Sequence, residues 1–234
     1  MINLMQGDCL ELMKTIPDGS IDMVLTDPPY GTTACKWDNV IPFEPMWEQL
    51  KRVTKKNGAI VMTASQPFTS ALIMSNVKMF KYCWVWEKSR FANQMLAKKQ
   101  PLKIHEDVVV FSQGSAIYNP QGLIECDKVT KQGSKITDNN GGGVRLTSYR
   151  QTHTNYPRSI QKFKSEGKTV HPTQKPVALM EYLIKTYTNE GETVLDFTMG
   201  SGSTGVAAKD LNRSFIGIEL DENYYNIAKE RING

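Results

Sequence analysis

The densest chemistry in the sequence lies in four consecutive residues, Asp27-Pro28-Pro29-Tyr30. They follow the apolar run Ile21-Asp22-Met23-Val24-Leu25, which reads as a buried strand. Two prolines cannot continue a hydrogen-bonded ladder, so the strand ends there and the chain turns. The turn gathers a carboxylate, a carbonyl with no following N–H and a phenol ring at the carboxyl-terminal end of a strand. In open α/β sheets that edge is where ligands bind. Taken alone, the motif would deserve the plainer reading of a strand-ending turn with a surface tyrosine.

A second constellation lies near the other end of the chain. Thr193-Val194-Leu195-Asp196-Phe197 reads as a strand, and Gly200-x-Gly202-x-x-Gly205 as the turn into a helix. The next strand, Phe215-Ile216-Gly217-Ile218, ends at Glu219. Glycines let a ligand approach the backbone, and a carboxylate after the following strand can accept from both hydroxyls of a ribose. This fits NAD and any other adenosine-containing cofactor. Only 34 residues follow Gly200, too few for the second half of a dinucleotide fold. That favours a cofactor with one nucleoside and no pyrophosphate.

Elements must hold these two constellations together. Strand-like runs at Ile2-Asn3-Leu4, 59–62, 82–86 and 107–111 alternate with helical patterns. In one of these, Met46, Leu50 and Val53 share a face and Gly58 stands where a cap belongs; Pro67 opens a second, and Pro176 opens a third carrying Met180, Leu183, Ile184 and Tyr187. Trp84 and Trp86 read as core residues. Asp8 with Glu11 fits a capping box. Alternating strands and helices imply a doubly wound, mostly parallel Rossmann-like sheet. From 112 to 170 the periodicity fails, and so long an unpatterned stretch inside a compact domain is usually functional. The expected organisation is therefore a catalytic segment at residues 1–111, an irregular insert at 112–170 and a cofactor-binding segment of the same domain at 171–234.

The 234 residues carry a net charge of +4, distributed unevenly. Residues 128–168 hold +7, which leaves −3 on the remainder and suggests a polyanionic partner. Residues 88–103 add Lys88, Arg90, Lys98, Lys99 and Lys103 without an acid. Four scattered cysteines argue against a zinc site and for a reducing, cytoplasmic setting. No apolar run reaches the length of a membrane span, and no secretory leader is expected.

Asp27-Pro28-Pro29-Tyr30, Asp196-Phe197-Thr198-Met199-Gly200-Ser201-Gly202 and His171-Pro172-Thr173-Gln174-Lys175-Pro176 together resemble the β group of amino-methylating DNA methyltransferases, whose Asp-Pro-Pro-Tyr motif comes first and whose glycine motif lies near the C-terminus. The motif order is circularly permuted relative to a simple Rossmann domain. Gly7-Asp8-Cys9 matches that family's segment beside the cofactor adenine, and 105–111 its last sheet strand. The resemblance spans nearly the whole chain outside 112–170, where the family carries its target-recognition region.

The resemblance implies S-adenosyl-L-methionine as cofactor, no metal, and double-stranded DNA as substrate, in a restriction–modification system or a mobile element. It assigns catalysis to Asp27, Pro28, Pro29 and Tyr30. The Asp27 carboxylate and the Pro28 carbonyl would accept the two hydrogens of an adenine N6, and Tyr30 would stack on the extruded base for about 1–3 kcal/mol. It assigns the cofactor to Asp8, Cys9, Asp27, Thr173, Lys175, Asp196, Phe197, Thr198, Gly200, Ser201, Gly202, Ser203, Thr204 and Glu219. Where the family often has Pro-Phe after the motif's Asp, this chain has Phe197-Thr198. Trp37, Lys88, Arg90, Arg145, Arg150 and Arg158 are candidate DNA contacts by residue type and position. Asp at the head of the Pro-Pro-Tyr motif favours adenine N6 in this family, with cytosine N4 as the alternative. A permuted NAD-dependent oxidoreductase would explain the glycines but not Asp27 to Tyr30, and a DNA-binding protein without turnover would leave Asp27 and Tyr30 unused. Relatives in this group commonly dimerise, so a homodimer is also expected.

Overall fold

The computed structural model describes residues 1–33, 35, 38–131, 148–167 and 174–234. Its elements run β1 (Ile2–Gln6), α1 (Cys9–Met13), β2 (Ile21–Thr26), α2 (Phe43–Val53), β3 (Thr54–Ala64), α3 (Phe68–Ser75), β4 (Phe80–Ala92) and β5 (Lys103–Phe111). There follow β6 (Ile124–Lys131), β7 (Ser148–Thr154), β8 (Ile160–Phe163), α4 (Val177–Tyr187), β9 (Thr193–Asp196), α5 (Ser203–Asp210), β10 (Ser214–Glu219) and α6 (Glu222–Asn233). Among the described residues, eight strands form one sheet in the order β1-β10-β9-β2-β3-β5-β4-β8. Strand β5 runs antiparallel to both β3 and β4, while the other neighbours are parallel.

Helices cover both faces, which is why the central strands are apolar at nearly every position. Met23 and Leu25 of β2 face α4, α5 and α6, packing in one cluster with Leu183, Ile184, Ala208 and Ile232. Val24, one residue out of phase, faces the opposite layer with Met13 of α1, Leu50 of α2 and Leu72 of α3. The alternation follows directly from the two-residue period of a strand. At β2 and β9 the strand ends then deliver Asp27 and Asp196 to the same edge of the sheet.

Two local expectations change. Asp8 caps α1 through Leu10 N–H (2.8 Å) and Glu11 N–H (3.2 Å), but Glu11 turns to Lys14 at 2.7 Å, so only half of the capping box forms. Gly58 is no helix cap, because α2 ends at Val53 and Gly58 lies inside β3. A Cβ there would meet the Thr54 methyl at 2.6 Å and the Asp22 carbonyl at 2.8 Å, so the glycine serves close strand packing.

Residues Pro120–Arg158 pack as a unit separate from Met1–Asn119 and Ser159–Gly234. The stretch 112–170 is not without regular structure. Within the small unit β6 and β7 form an antiparallel pair, and β8 belongs to the main sheet. Strands such as Ser-Tyr-Arg-Gln-Thr-His-Thr (Ser148–Thr154) carry no apolar face, so they leave no hydrophobic period to detect. No helix among the described residues is long and apolar enough to cross a membrane.

Candidate active site

The turn after β2 holds Asp27 in a cage of donors. Its Oδ1 accepts from the Tyr30 hydroxyl at 2.7 Å and from the Thr63 hydroxyl of β3. Its Oδ2 accepts from the Lys175 ammonium at 2.5 Å. The Tyr30 ring stacks on Phe68, with centroids 5.2 Å apart and planes 23° from parallel. Lys175 also lies 5.8 Å from the Tyr30 ring centroid.

Behind Asp27 runs a row of alternating charge. Lys175 is 7% exposed and stands 3.4 Å from Glu106 Oε2 of β5. Glu106 in turn pairs through Oε1 with Lys88 of β4, whose ammonium lies 5.1 Å from the Trp86 ring centroid. Burial by itself would lower the Lys175 pKa; the Asp27 and Glu106 carboxylates outweigh it and hold the ammonium above the ordinary lysine value. Burial likewise opposes ionisation of Glu106, and Lys175 and Lys88 outweigh that to keep its carboxyl below the usual range. The Tyr30 hydroxyl is pushed well up, first by burial and then by the Asp27 charge.

The glycine turn forms the other wall. Gly200 (φ +50°) and Gly202 (φ +82°) take left-handed backbone conformations that suit glycine. A Cβ on Gly200 would meet nothing within 4 Å, whereas one on Gly202 would press on Ala228 and Ile232 of α6 at 3.0 Å. The first therefore opens towards the site and the second packs α5 on α6. Glu219, at the end of β10, accepts from Gly200 N–H (2.8 Å) and Asp221 N–H (2.9 Å). Its backbone carbonyl accepts from Gly7 N–H at 2.9 Å, which ties the Asp8-Cys9 segment to the same edge. Burial pushes the Cys9 thiol up to about 12, so Cys9 is a neutral thiol at physiological pH.

Three side chains join the two walls. The Thr26 hydroxyl lies 2.7 Å from Asp196 Oδ1 and 2.6 Å from the Thr198 hydroxyl, which lies 3.2 Å from the Asp27 carbonyl oxygen. Asp196 is 3% exposed, and burial raises its carboxyl to about 7 against the lowering effect of the Thr204 and Thr26 hydroxyls and the Thr198 N–H. Both walls line one cavity of about 980 Å³.

A family model for DNA methylases, covering N6 and N4 methyltransferases, matches residues 21–230. The chain belongs to this DNA methylase family. The type II methyltransferase M.HpaI of Haemophilus parainfluenzae is 28% identical over 244 residues, covering 98% of this methylase and 74% of M.HpaI. The crystal structure of the M1.HpyAVI–SAM complex is 26% identical with a TM-score of 0.67, covering 99% of this chain and all of that one. The cytosine-N4-specific PvuII methyltransferase shares the fold at a TM-score of 0.69 and 17% identity, over 98% of this chain and 86% of its own.

Placed on the methylase, the sequence candidates largely converge. Asp27, Pro28, Pro29 and Tyr30 line the cavity, as do all the described cofactor-side candidates except Gly202. Thr173, His171, Trp37 and Arg145 lie outside the described residues. Lys88, expected on a basic rim, faces inward on Glu106. Arg90 is exposed on β4, Arg158 is exposed, and Arg150 forms a two-point pair with Asp127 at 2.8 Å. Lys175 reaches Asp27 directly.

Sequence reasoning missed Thr63, Glu106 and Arg231, which holds Ser201 Oγ at 2.9 Å. Glu106 left a trace, a carboxylate just before the apolar run Val108 to Phe111; Thr63 and Arg231 left none. The departure from Pro-Phe also acquires a contact, since the Thr198 hydroxyl meets the backbone of the Asp27–Tyr30 turn. Thr198→Val keeps the shape and removes that contact. It is expected to lower kcat/KM by about fivefold, the worth of one neutral hydrogen bond, with little change in Tm. Steady-state kinetics on duplex DNA check this, and an unchanged kcat/KM would assign Thr198 to packing.

Proposed function

We propose that this DNA amino-methyltransferase methylates N6 of an adenine flipped out of duplex DNA, with S-adenosyl-L-methionine as methyl donor. The observation that carries the reading is Asp27. Three donors occupy its carboxylate, and of its roughly four lone-pair directions one on Oδ2 is left for a substrate amine. Pro28 and Tyr30 line the cavity beside it.

The site suits the cofactor on its own geometry. The Ser203 hydroxyl at the start of α5 is buried without a partner among the described residues, and Gly200 leaves the space a side chain would fill. Glu219 would take the ribose hydroxyls, Asp8 and Cys9 would meet the adenine, and the turn from Gly200 to Gly202 would flank the remainder. S-adenosyl-L-methionine supplies a methyl group already activated on a sulfonium.

The protein's task is to make a poor nucleophile competent. The exocyclic nitrogen of adenine shares its lone pair with the ring. Acceptance of its two hydrogens by Asp27 Oδ2 and the Pro28 carbonyl draws it towards tetrahedral geometry and frees the pair. Tyr30, backed by Phe68, holds the base plane. Positioning and a fixed electrostatic environment supply most of the acceleration. As the nitrogen gains its methyl it becomes acidic, and the Asp27 carboxylate is placed to take the proton.

On the DNA side, exposed Arg90 sits with exposed Lys98 and Lys99 on β4 and its connection to β5, in a stretch from 88 to 103 that also holds Lys88 and Lys103 and carries no acid. These cations suit phosphate contacts, which position the duplex without reading its sequence. Lys128 and Arg150 on the small unit offer further charge.

Turnover on mixed-sequence duplex followed by nucleoside mass spectrometry tests the reading. N6-methyladenine is expected. N4-methylcytosine would keep the mechanism and move the target to the alternative base that the shared PvuII fold keeps in view. Absence of both would sink the proposal.

A further inference from the structure

Resting on that reading, we infer that Glu106 is a positioning residue that takes the Lys175 ammonium when the target amine claims Asp27 Oδ2. Two observations point to a cation that moves. Lys175 lies tight on Oδ2 at 2.5 Å, the same oxygen whose remaining lone pair the substrate amine would use, so a cation and an amine crowd one atom and divide its charge. Glu106 Oε2 meanwhile is buried without a hydrogen bond, and its closest cation is the same Lys175 at the long distance of 3.4 Å. A buried carboxylate oxygen left short of a donor is costly to maintain. A shift of the ammonium by about one ångström would satisfy Glu106 and open Asp27, with no water admitted and no net charge moved across the site.

The surroundings fit a two-position cation. Glu106 is anchored from its other oxygen by Lys88, so it does not follow Lys175 towards Asp27. Asp27 is anchored from Oδ1 by Tyr30 and Thr63, so it does not follow Lys175 towards Glu106. The row Asp27, Lys175, Glu106 and Lys88 is neutral in both positions. Lys175 is 7% exposed, so bulk water cannot take either carboxylate's place.

The charge of Glu106, rather than its shape, is what the hand-over requires. Glu106→Gln is expected to lower the single-turnover methyl-transfer rate by about 30-fold while the dissociation constants for S-adenosylmethionine and duplex DNA stay within about twofold. The Gln side chain leaves Lys88 uncompensated, and that charge repels Lys175 from the receiving position. The double variant Glu106→Gln with Lys88→Met removes the repulsion and is expected to recover at least about tenfold of the loss, a non-additivity that a packing role would not give.

Thermal unfolding of both variants shows that the assay reads folded protein, and the neutral double variant keeps the inference testable if the single one is unstable. A Glu106→Gln enzyme with the parental rate overturns the inference, as does a double variant no faster than the single one. If instead the unsubstituted enzyme methylates neither base, the reading of the site has failed before the inference is reached.

Discussion

Asp27→Ala is expected to reduce single-turnover methyl transfer by about 10³-fold or more, with S-adenosylmethionine binding held within a few-fold. The substitution removes the oxygen that would accept the target amine and take its proton, and it strands the donors arranged around it. Tyr30 and Thr63 lose their shared acceptor, and Lys175 is left buried opposite Glu106 alone. Breaking a buried ion pair from one side destabilises by about 3–5 kcal/mol; with the Asp27 side chain 25% exposed, about half of that is expected here. Asp27→Asn separates the two effects, since it keeps the volume and one acceptor but loses the charge. It should unfold close to the parent temperature and still lose most of the rate. Retention of a tenth of the parental rate by the Ala variant, with the protein folded, would remove Asp27 from catalysis.

The second large effect is thermodynamic and pH-dependent. Asp196 is buried, and its carboxyl is raised from 3.8 to about 7. Because the folded state disfavours the ionised form, the full stability is present below the unfolded value and is lost as pH rises towards 7. A rise of that size corresponds to about 4–5 kcal/mol lost by pH 8, at about 1.4 kcal/mol per pH unit. Asp196→Asn escapes this penalty and keeps an oxygen for the Thr26 hydroxyl. It is therefore expected to raise Tm by about 5–10 °C at pH 8 but by no more than about 2 °C at pH 4.5. Thermal melts across that range check the sign. An increment that is equal at both ends would mean that Asp196 does not change its protonation within the window.

The elements that could be read from sequence are those whose burial has a period. The runs at Met23 to Leu25 and Val108 to Val110, and the helical stripe from Met180 to Tyr187, each state which residues face the core. The glycine turn and Asp27 were legible because few residue types can occupy such positions. What stayed hidden depends on long-range geometry. Thr63 is one threonine in an apolar strand, and its bond to a residue 36 positions earlier follows only from the register of β2 on β3. Lys175 and Asp27 are 148 residues apart, and nothing local distinguishes a lysine that grips a cofactor from one that grips the Asp27 carboxylate. Lys88 misled for the same reason. A run of cations without acids looks solvent-facing until the strand pairing brings Glu106 opposite Trp86, beside it.

The depth at which each charge sits has an experimental consequence. The ammonium and carboxylate groups behind Asp27 are 7–19% exposed, so mobile ions reach them poorly. Arg90, Lys98 and Lys99 stand in solvent, where ions act over a Debye length of about 8–10 Å. Ionic strength therefore acts as a selective control on this enzyme. Raising it should weaken DNA association steeply through displaced counterions, while the rate within an already saturated complex stays nearly flat.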